Sequence, residues 1–341
     1  MVTSPAITAE RNTEEPSMTR FRLLAASVGL VLVAACGTTD DAPTTTESSG
    51  AFPVTIDHKY GSTTVDAQPQ RVVTVGWNDQ DFALSLGVVP VATRQWFDEY
   101  PDYPWVREAR GDAPIPTFSA DIDFEAISAQ NPDLILAVYE SIDQATYDGL
   151  SKIAPTVIQT ADYENEQTPW DVQTLTTGKA LGKTEEAEAL VTQVQGKIDE
   201  AKAAHPEFAG KVLVEDFGPE NGQHYLLPAG DPRRALFDAL GFGAQEESEE
   251  VSEERADLLD RDVLFVNGAT KEQMVQSPVF SALNVVSQDR TLYTSFDGNL
   301  GGALAYSGPD ALLYALDILV PQLANAADDN PATPVTDLSA A

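Results

Sequence analysis

Runs of β-branched and aliphatic residues recur along this chain, each ending at a glycine or polar loop and each followed by a stretch of helical spacing. Val72-Val73-Thr74-Val75 runs into Gly76, and Asp79 to Leu86 then offers Phe82, Leu84 and Leu86 as one apolar side before Gly87. A strand that is apolar at successive positions suits a sheet covered on both faces, and helices between such strands imply parallel crossovers. The cycle repeats through a strand at Val88–Ala92, a short helix at 124–130, a turn at Asn131-Pro132-Asp133 and a strand at Leu134–Val138. A helix at Ser141–Ile153 and a strand at Thr156–Gln159 complete it. Only an opening hairpin, Val54–Tyr60 with Gly61–Val65, departs from the pattern.

The alternation then stops. Between Thr168 and Ala204 no strand-like run occurs, while Leu181, Ala187, Leu190, Val194 and Ile198 recur at helical spacing. Gly178 and Gly182 interrupt that spacing, so the segment reads as one long helix or two nearly collinear ones, ended by Pro206. Beyond it the alternation resumes. Strands are expected at Lys211–Phe217, Tyr225–Leu227, Val263–Asn267 and Thr291–Thr294, with helices at Arg234–Leu240, Ser252–Leu259 and from Gly308 to Leu319. The fold class is therefore α/β: two three-layer α/β lobes joined by a long α-helix. The expected boundaries are 52–165 for the N-terminal lobe, 166–206 for the connecting helix and 207–326 for the C-terminal lobe. The Pro/Ala/Asp/Thr-rich stretch 327–341 reads as a disordered tail.

The first fifty residues carry a different message. Arg20 and Arg22 precede an apolar segment, Leu23 to Ala35, which ends in Ala34-Ala35-Cys36-Gly37. A positive stretch, a short apolar stretch and small residues at a cut form a secretory signal, and this one is too short to span a bilayer. Cys36 is the only cysteine of the chain, so it has no disulfide partner within it. The segment resembles a bacterial lipobox, which implies a diacylglycerol thioether on Cys36. Residues 1–35 then form the signal peptide, with Met18 as the expected start, and 36–51 a lipidated flexible tether, since Gly37 to Gly50 holds almost nothing apolar. Formal net charge is −34. Such a field repels nucleic acid and anionic lipid, which excludes nucleic-acid partners and leaves the membrane to be reached by the lipid anchor alone.

Several segments, in order, resemble one family. They are Pro69-Gln70-Arg71-Val72-Val73, Leu84-Ser85-Leu86-Gly87-Val88-Val89-Pro90-Val91, Asp123-Phe124-Glu125-Ala126-Ile127 with Asn131-Pro132-Asp133-Leu134-Ile135-Leu136, Leu181-Gly182 with Glu186-Ala187, and Asp260 to Val266. Behind a lipobox, this series is similar to the ferric-siderophore and cobalamin binding proteins of bacterial ABC importers, and most resembles the actinobacterial siderophore-binding lipoproteins among them. The stretches Gly76 to Asp81 and Arg94-Gln95-Trp96-Phe97 carry the actinobacterial likeness. The resemblance implies a helical-backbone periplasmic-binding-protein fold and an extracytoplasmic, lipid-anchored monomer at the cell membrane. It further implies a ferric siderophore as ligand and an ABC permease with its ATPase as partner.

In open α/β sheets ligands sit beyond the carboxyl ends of the strands. That rule selects Trp77, Asn78, Arg94, Gln95, Trp96 and Tyr139 from the first lobe. It selects Tyr225, Arg233, Asn267 and Tyr306 from the second, with Phe217, His224 and Phe296 nearby. Aromatic faces and arginine donors suit bulky, delocalised chelates, although each aromatic would equally serve to pack its own lobe. The arginines favour an anionic complex. No protein metal site and no cofactor are expected: His58, His205 and His224 lie on separate elements, and iron would arrive already chelated. The family resemblance also implies that Glu125 and Glu254, one on each lobe, dock with the permease. Glu253 is a near alternative, and a carboxylate at a helix start is favourable in any case.

No catalysis is expected. The chain has no Gly-x-Ser-x-Gly elbow and no His-Glu-x-x-His motif, and Asp121 and Asp123 read as caps rather than a catalytic pair. Two other readings stay open: a heme or cobalamin carrier on the same scaffold, with Tyr139 or His224 as axial ligand, and, less favoured, an exported hydrolase.

Overall fold

The computed structural model describes residues 52–218, 223–245 and 250–339. Cys36, the segment 1–35 with Met18, and the tether 36–51 lie outside the described residues.

The N-terminal half opens with an antiparallel hairpin, β1 (Val54–His58) and β2 (Gly61–Val65). Then β3 (Val72–Thr74), α1 (Asp79–Ser85), β4 (Ala92–Arg94), α2 (Pro104–Arg110), β5 (Thr117–Phe118), α3 (Phe124–Ala129), β6 (Leu134–Ala137), α4 (Gln144–Leu150) and β7 (Thr156–Ile158) alternate. The five strands β3 to β7 form one parallel sheet in the order β5-β4-β3-β6-β7. β3 and β6 are buried along their whole length, as the uniform apolar runs require of a sheet with helices on both faces.

α5 (Trp170–Leu181) and α6 (Thr184–Ala204) follow. They are not collinear, contrary to the sequence expectation. Gly182 takes a left-handed conformation, φ 69°, and caps α5. A Cβ at Gly178 would fall 2.3 Å from the Ala187 Cβ; nine positions along a straight helix would separate them by about 13.5 Å. α5 therefore folds against α6, and a β-carbon at Gly178 would prise them apart. Of these two helices, α6 is the one that joins the halves. Ala187 and Leu190, in its first turns, pack into the core of the first lobe. Val194 and Ile198, two and three turns on, pack into the core that includes Phe208, Leu213, Phe237 and Phe265 of the second.

The C-terminal half comprises β8 (Leu213–Asp216), β9 (Gln223–Tyr225), α7 (Ala235–Leu240), β10 (Glu250–Ser252), β11 (Val263–Asn267), three single-turn helices α8 (Lys271–Met274), α9 (Pro278–Ser281) and α10 (Asn284–Ser287), β12 (Thr291–Thr294), α11 (Asn299–Tyr306) and α12 (Pro309–Ala327). β12-β11-β8 is a parallel sheet, and β9 pairs antiparallel with β10. The expected helix at Ser252–Leu259 is a kinked 3₁₀ segment, Glu253–Leu258, with non-helical φ/ψ at Arg255.

The last helix runs further than Leu319 and ties the halves together. The Gly308 N–H donates to the buried Asp81 carboxylate at 3.0 Å, and the Asp310 N–H donates to Ser85 Oγ at 3.3 Å. Asp81 also accepts from Tyr100 Oη (3.0 Å) and Trp105 Nε1 (2.8 Å). One carboxylate thus gathers α1, the segment before α2, α2 itself and the start of α12. The stretch after α12 departs from the disordered-tail expectation. Leu338 is buried and donates its N–H to Tyr293 O, and the Val335 N–H donates to Asp289. Two apolar residues in a proline- and threonine-rich stretch suffice to anchor it, a feature that average composition conceals. Among the described residues no helix is long and apolar enough to cross a membrane.

Candidate ligand-binding cleft

Both parallel sheets direct their carboxyl ends at one cavity of about 280 Å³. Trp77 follows β3, Trp96 and Phe97 follow β4, and Tyr139 follows β6. From the other half come Glu215 near the end of β8, Phe217 just beyond it, Asn267 closing β11 and Phe296 after β12. Arg233, Glu166 and the α11 residues Gly301, Leu304 and Ala305 complete the lining. A cleft at strand ends is where the backbone of a parallel sheet leaves polar groups and loops free to meet a ligand.

The first-lobe wall is held from behind. Asp79 is fully buried at the N-terminus of α1, and its carboxylate accepts from the N–H groups of Gly76 (3.0 Å), Val138 (3.0 Å) and Tyr139 (3.2 Å). It ties the loop carrying Trp77 to the loop carrying Tyr139. Burial raises its pKa to about 6, and the three N–H donors pull the other way. Trp77 lies over the Arg94 guanidinium, 3.5 Å from ring centroid to Cζ. Arg94 in turn is ion-paired with Glu140, both side chains out of solvent, and donates to the Ala120 carbonyl. The Glu140 pKa is raised by burial and opposed by Arg94. Trp96 stacks on Phe97 (centroids 4.7 Å apart, planes 15° apart) and meets Tyr306 at 5.0 Å and Trp77 at 5.8 Å. Such offset and tilted pairs add to simple burial.

The second-lobe side is polar. Glu215 is 1% exposed and Asn267 4%. Asn267 stands beside Glu215 and pulls its pKa down, and Glu215 Oε2 and Asn267 Oδ1 have no partner. Burial raises the Glu215 pKa to about 8; Arg234 and Arg233 lower it and Asp231 raises it. Arg233 forks onto Asp231 through Nε (2.9 Å) and Nη2 (2.6 Å) and faces the rings of Phe217 and Tyr225 at 5.5 and 5.8 Å. Gly268 has φ +97°, and a Cβ there would strike the Phe296 ring at 2.1 Å, so this glycine admits Phe296 to the cleft.

Of the residues expected from sequence, Trp77, Trp96, Tyr139, Arg233 and Asn267 line the cavity. Arg94 and Tyr306 stand behind the wall, and Asn78 is buried beneath it. Gln95 is exposed and donates to Asp98. Tyr225 is exposed beside Arg233 rather than in the lining. Glu215, Glu166 and the backing residue Asp79 were not selected. Glu215 is one residue short of the end of β8 and Asn267 ends β11, and that position near a strand end was the available signal. His224 is buried, lies outside the cavity lining and is bonded through Nδ1 to Asp216 Oδ2 at 2.7 Å. Among the described residues no three His, Cys, Asp or Glu side chains are grouped to hold a metal. Glu125 and Glu254 are both exposed, Glu125 in the first turn of α3 under the Asp123 cap and Glu254 in the kinked 3₁₀ segment.

The family profile described as "Periplasmic binding protein" matches residues 72–296. A crystal structure of a periplasmic solute binding protein from Mycobacterium smegmatis superposes with a TM-score of 0.75 at 32% identity, covering 80% of this chain and 98% of that one. The Streptococcus pneumoniae TIGR4 protein PiaA in complex with ferrichrome gives a TM-score of 0.67 at 26% identity, over 81% and 99% of the two chains. The Fe(3+)-citrate-binding protein YfmC of Bacillus subtilis is 26% identical over 79% of this chain and 88% of its own length.

Proposed function

We propose that this chain, which belongs to the periplasmic binding protein family, captures a ferric siderophore in the cleft between its lobes and hands it to an ABC permease. The observation that carries the reading is the cleft itself: aromatic side chains from the strand ends of two separate parallel sheets converge on one cavity. Relatives with printed ligands, ferrichrome for PiaA and ferric citrate for YfmC, fit the same reading. Binding is the whole task in this account, with no chemical step and no resident cofactor.

Closure on the ligand is modest. α6 enters both cores, and the Asp81–Gly308 hydrogen bond adds a second tie, so large hinge motion would break packed contacts. The exposed Glu125 and Glu254 are the docking carboxylates, and a lipid on Cys36 keeps the protein beside its permease at high local concentration. Cys36→Ala is expected to release the protein into the medium with ligand affinity unchanged. The test of capture is tryptophan emission, since Trp77 and Trp96 line the cleft. Addition of ferric hydroxamates, catecholates or carboxylates should quench it at sub-micromolar concentration for at least one class. Quenching by hemin or cobalamin alone would overturn the siderophore reading.

A further inference from the structure

The charges in the cleft are already met by protein. Arg94 is buried against Glu140, and Arg233, the one cation among the described lining residues, forks onto Asp231. Two carboxyl groups, Glu166 and Glu215, line the same cavity. The floor also holds the two unpartnered oxygens, Glu215 Oε2 and Asn267 Oδ1, on side chains that are almost wholly buried. A buried polar atom without a partner in a ligand cavity marks where a ligand atom completes the hydrogen bonding.

We infer that the cleft selects a ferric chelate that is neutral or cationic overall and that sets an uncharged group able both to donate and to accept, an amide or hydroxyl, against Glu215 and Asn267. This rests on the siderophore reading above and narrows it, and it reverses the expectation that the arginines favour an anionic complex. The chemistry is as follows. Asn267 Oδ1 is an acceptor without a partner and needs a ligand donor. Burial holds the Glu215 proton up to about pH 8 against the pull of Arg234 and Arg233, with Asp231 reinforcing burial, so Oε2 can donate. A carboxylate or catecholate oxygen only accepts. It would leave Asn267 Oδ1 unsatisfied and bring an anion toward Glu166 with no unpaired arginine to receive it.

The test is a titration of tryptophan emission at pH 7 with four chelates: a neutral ferric tris-hydroxamate, a ferric tris-hydroxamate bearing a free ammonium, ferric citrate and a ferric tris-catecholate. The first two should bind at least tenfold more tightly than the last two. Equal or tighter binding of citrate or catecholate overturns this inference and leaves the siderophore reading intact; no binding of any of the four removes both. The floor is tested separately with Asn267→Asp and Asn267→Leu, each first shown by melting to be folded. Both should weaken the neutral hydroxamate at least tenfold. Unchanged affinity in both Asn267 variants would contradict the assignment of the floor.

Discussion

On the first-lobe side of the cleft, Arg94 is engaged by Glu140 and by the face of Trp77, and Trp96 is wedged between Phe97 and Tyr306. On the second-lobe side, Glu215 and Asn267 each keep an oxygen without a partner, and Phe296 is exposed. The two sides differ in what has already been satisfied. The first presents aromatic rings backed by the Arg94–Glu140 pair, with the unpartnered Asn78 Oδ1 and Gln80 Oε1 beneath them, so it offers shape and aromatic surface to many chelates. The second is left incomplete until a ligand arrives, and an incomplete surface is where discrimination is made, because a wrong ligand leaves buried groups unpaired.

The comparison is broken most severely by Arg94→Ala. It strands Glu140 out of solvent and removes the support of Trp77, and a buried pair cut on one side costs about 3–5 kcal/mol. A fall in unfolding free energy of that order is expected by denaturant titration, and Glu140→Gln in the same chain should recover part of it. A surface-like loss below about 1 kcal/mol would mean that Arg94 is not scaffolding. Trp96→Ala comes next. It takes a stacked aromatic from the wall, and the expected loss of chelate affinity is about 2–3 kcal/mol across every chelate that binds at all. Asn267→Leu, by contrast, should change the ranking among chelates more than their mean affinity.

The Glu215 carboxyl provides a smaller and more specific probe. Its folded pKa, about 8, lies above the ordinary glutamate value. The folded state therefore holds the proton more tightly than the unfolded chain. The associated stability is fully present below the ordinary glutamate value and is lost as pH rises through about 8. Melting of the ligand-free protein should fall between pH 5 and pH 9 by more than in Glu215→Gln, a difference on the order of 3 kcal/mol. Chelate affinity should drop above pH 8 in the parent and stay level in the variant. Parallel pH profiles for the two proteins would place the titration elsewhere. The smallest effect on binding is expected of Glu125→Ala with Glu254→Ala. Affinity in solution should be unchanged, and uptake by cells should stop; normal uptake would remove the docking role.

The alternation of buried strands and helices was legible because period and burial are local properties, and the strand-end rule then indicated where the cleft lies. Trp77, Trp96 and Asn267 were selected that way and line the cavity. What escaped was pairing at a distance. Arg94 and Glu140 are 46 positions apart, and nothing in either local sequence says that the guanidinium is already occupied. Asp79 was seen only as the start of a helical stretch, while its partners Val138 and Tyr139 lie about 60 positions on. The turn between α5 and α6 was misread for a related reason. A glycine in a helical pattern is compatible with a kink or a reversal, and the choice was made by Gly178 meeting Ala187. The segment after α12 shows the same limit, since Leu338 finds its place only against Tyr293.

The central claim is that a ferric chelate sits between the aromatic wall and the Glu215–Asn267 floor, bound through its chelator. Anomalous diffraction at the iron edge from crystals grown with a ferric tris-hydroxamate measures this directly. The account predicts one iron peak inside the cleft bounded by Trp77, Trp96 and Asn267, with no protein atom at coordination distance. A peak outside that cleft, or an iron ligated by a side chain of the protein, would contradict it.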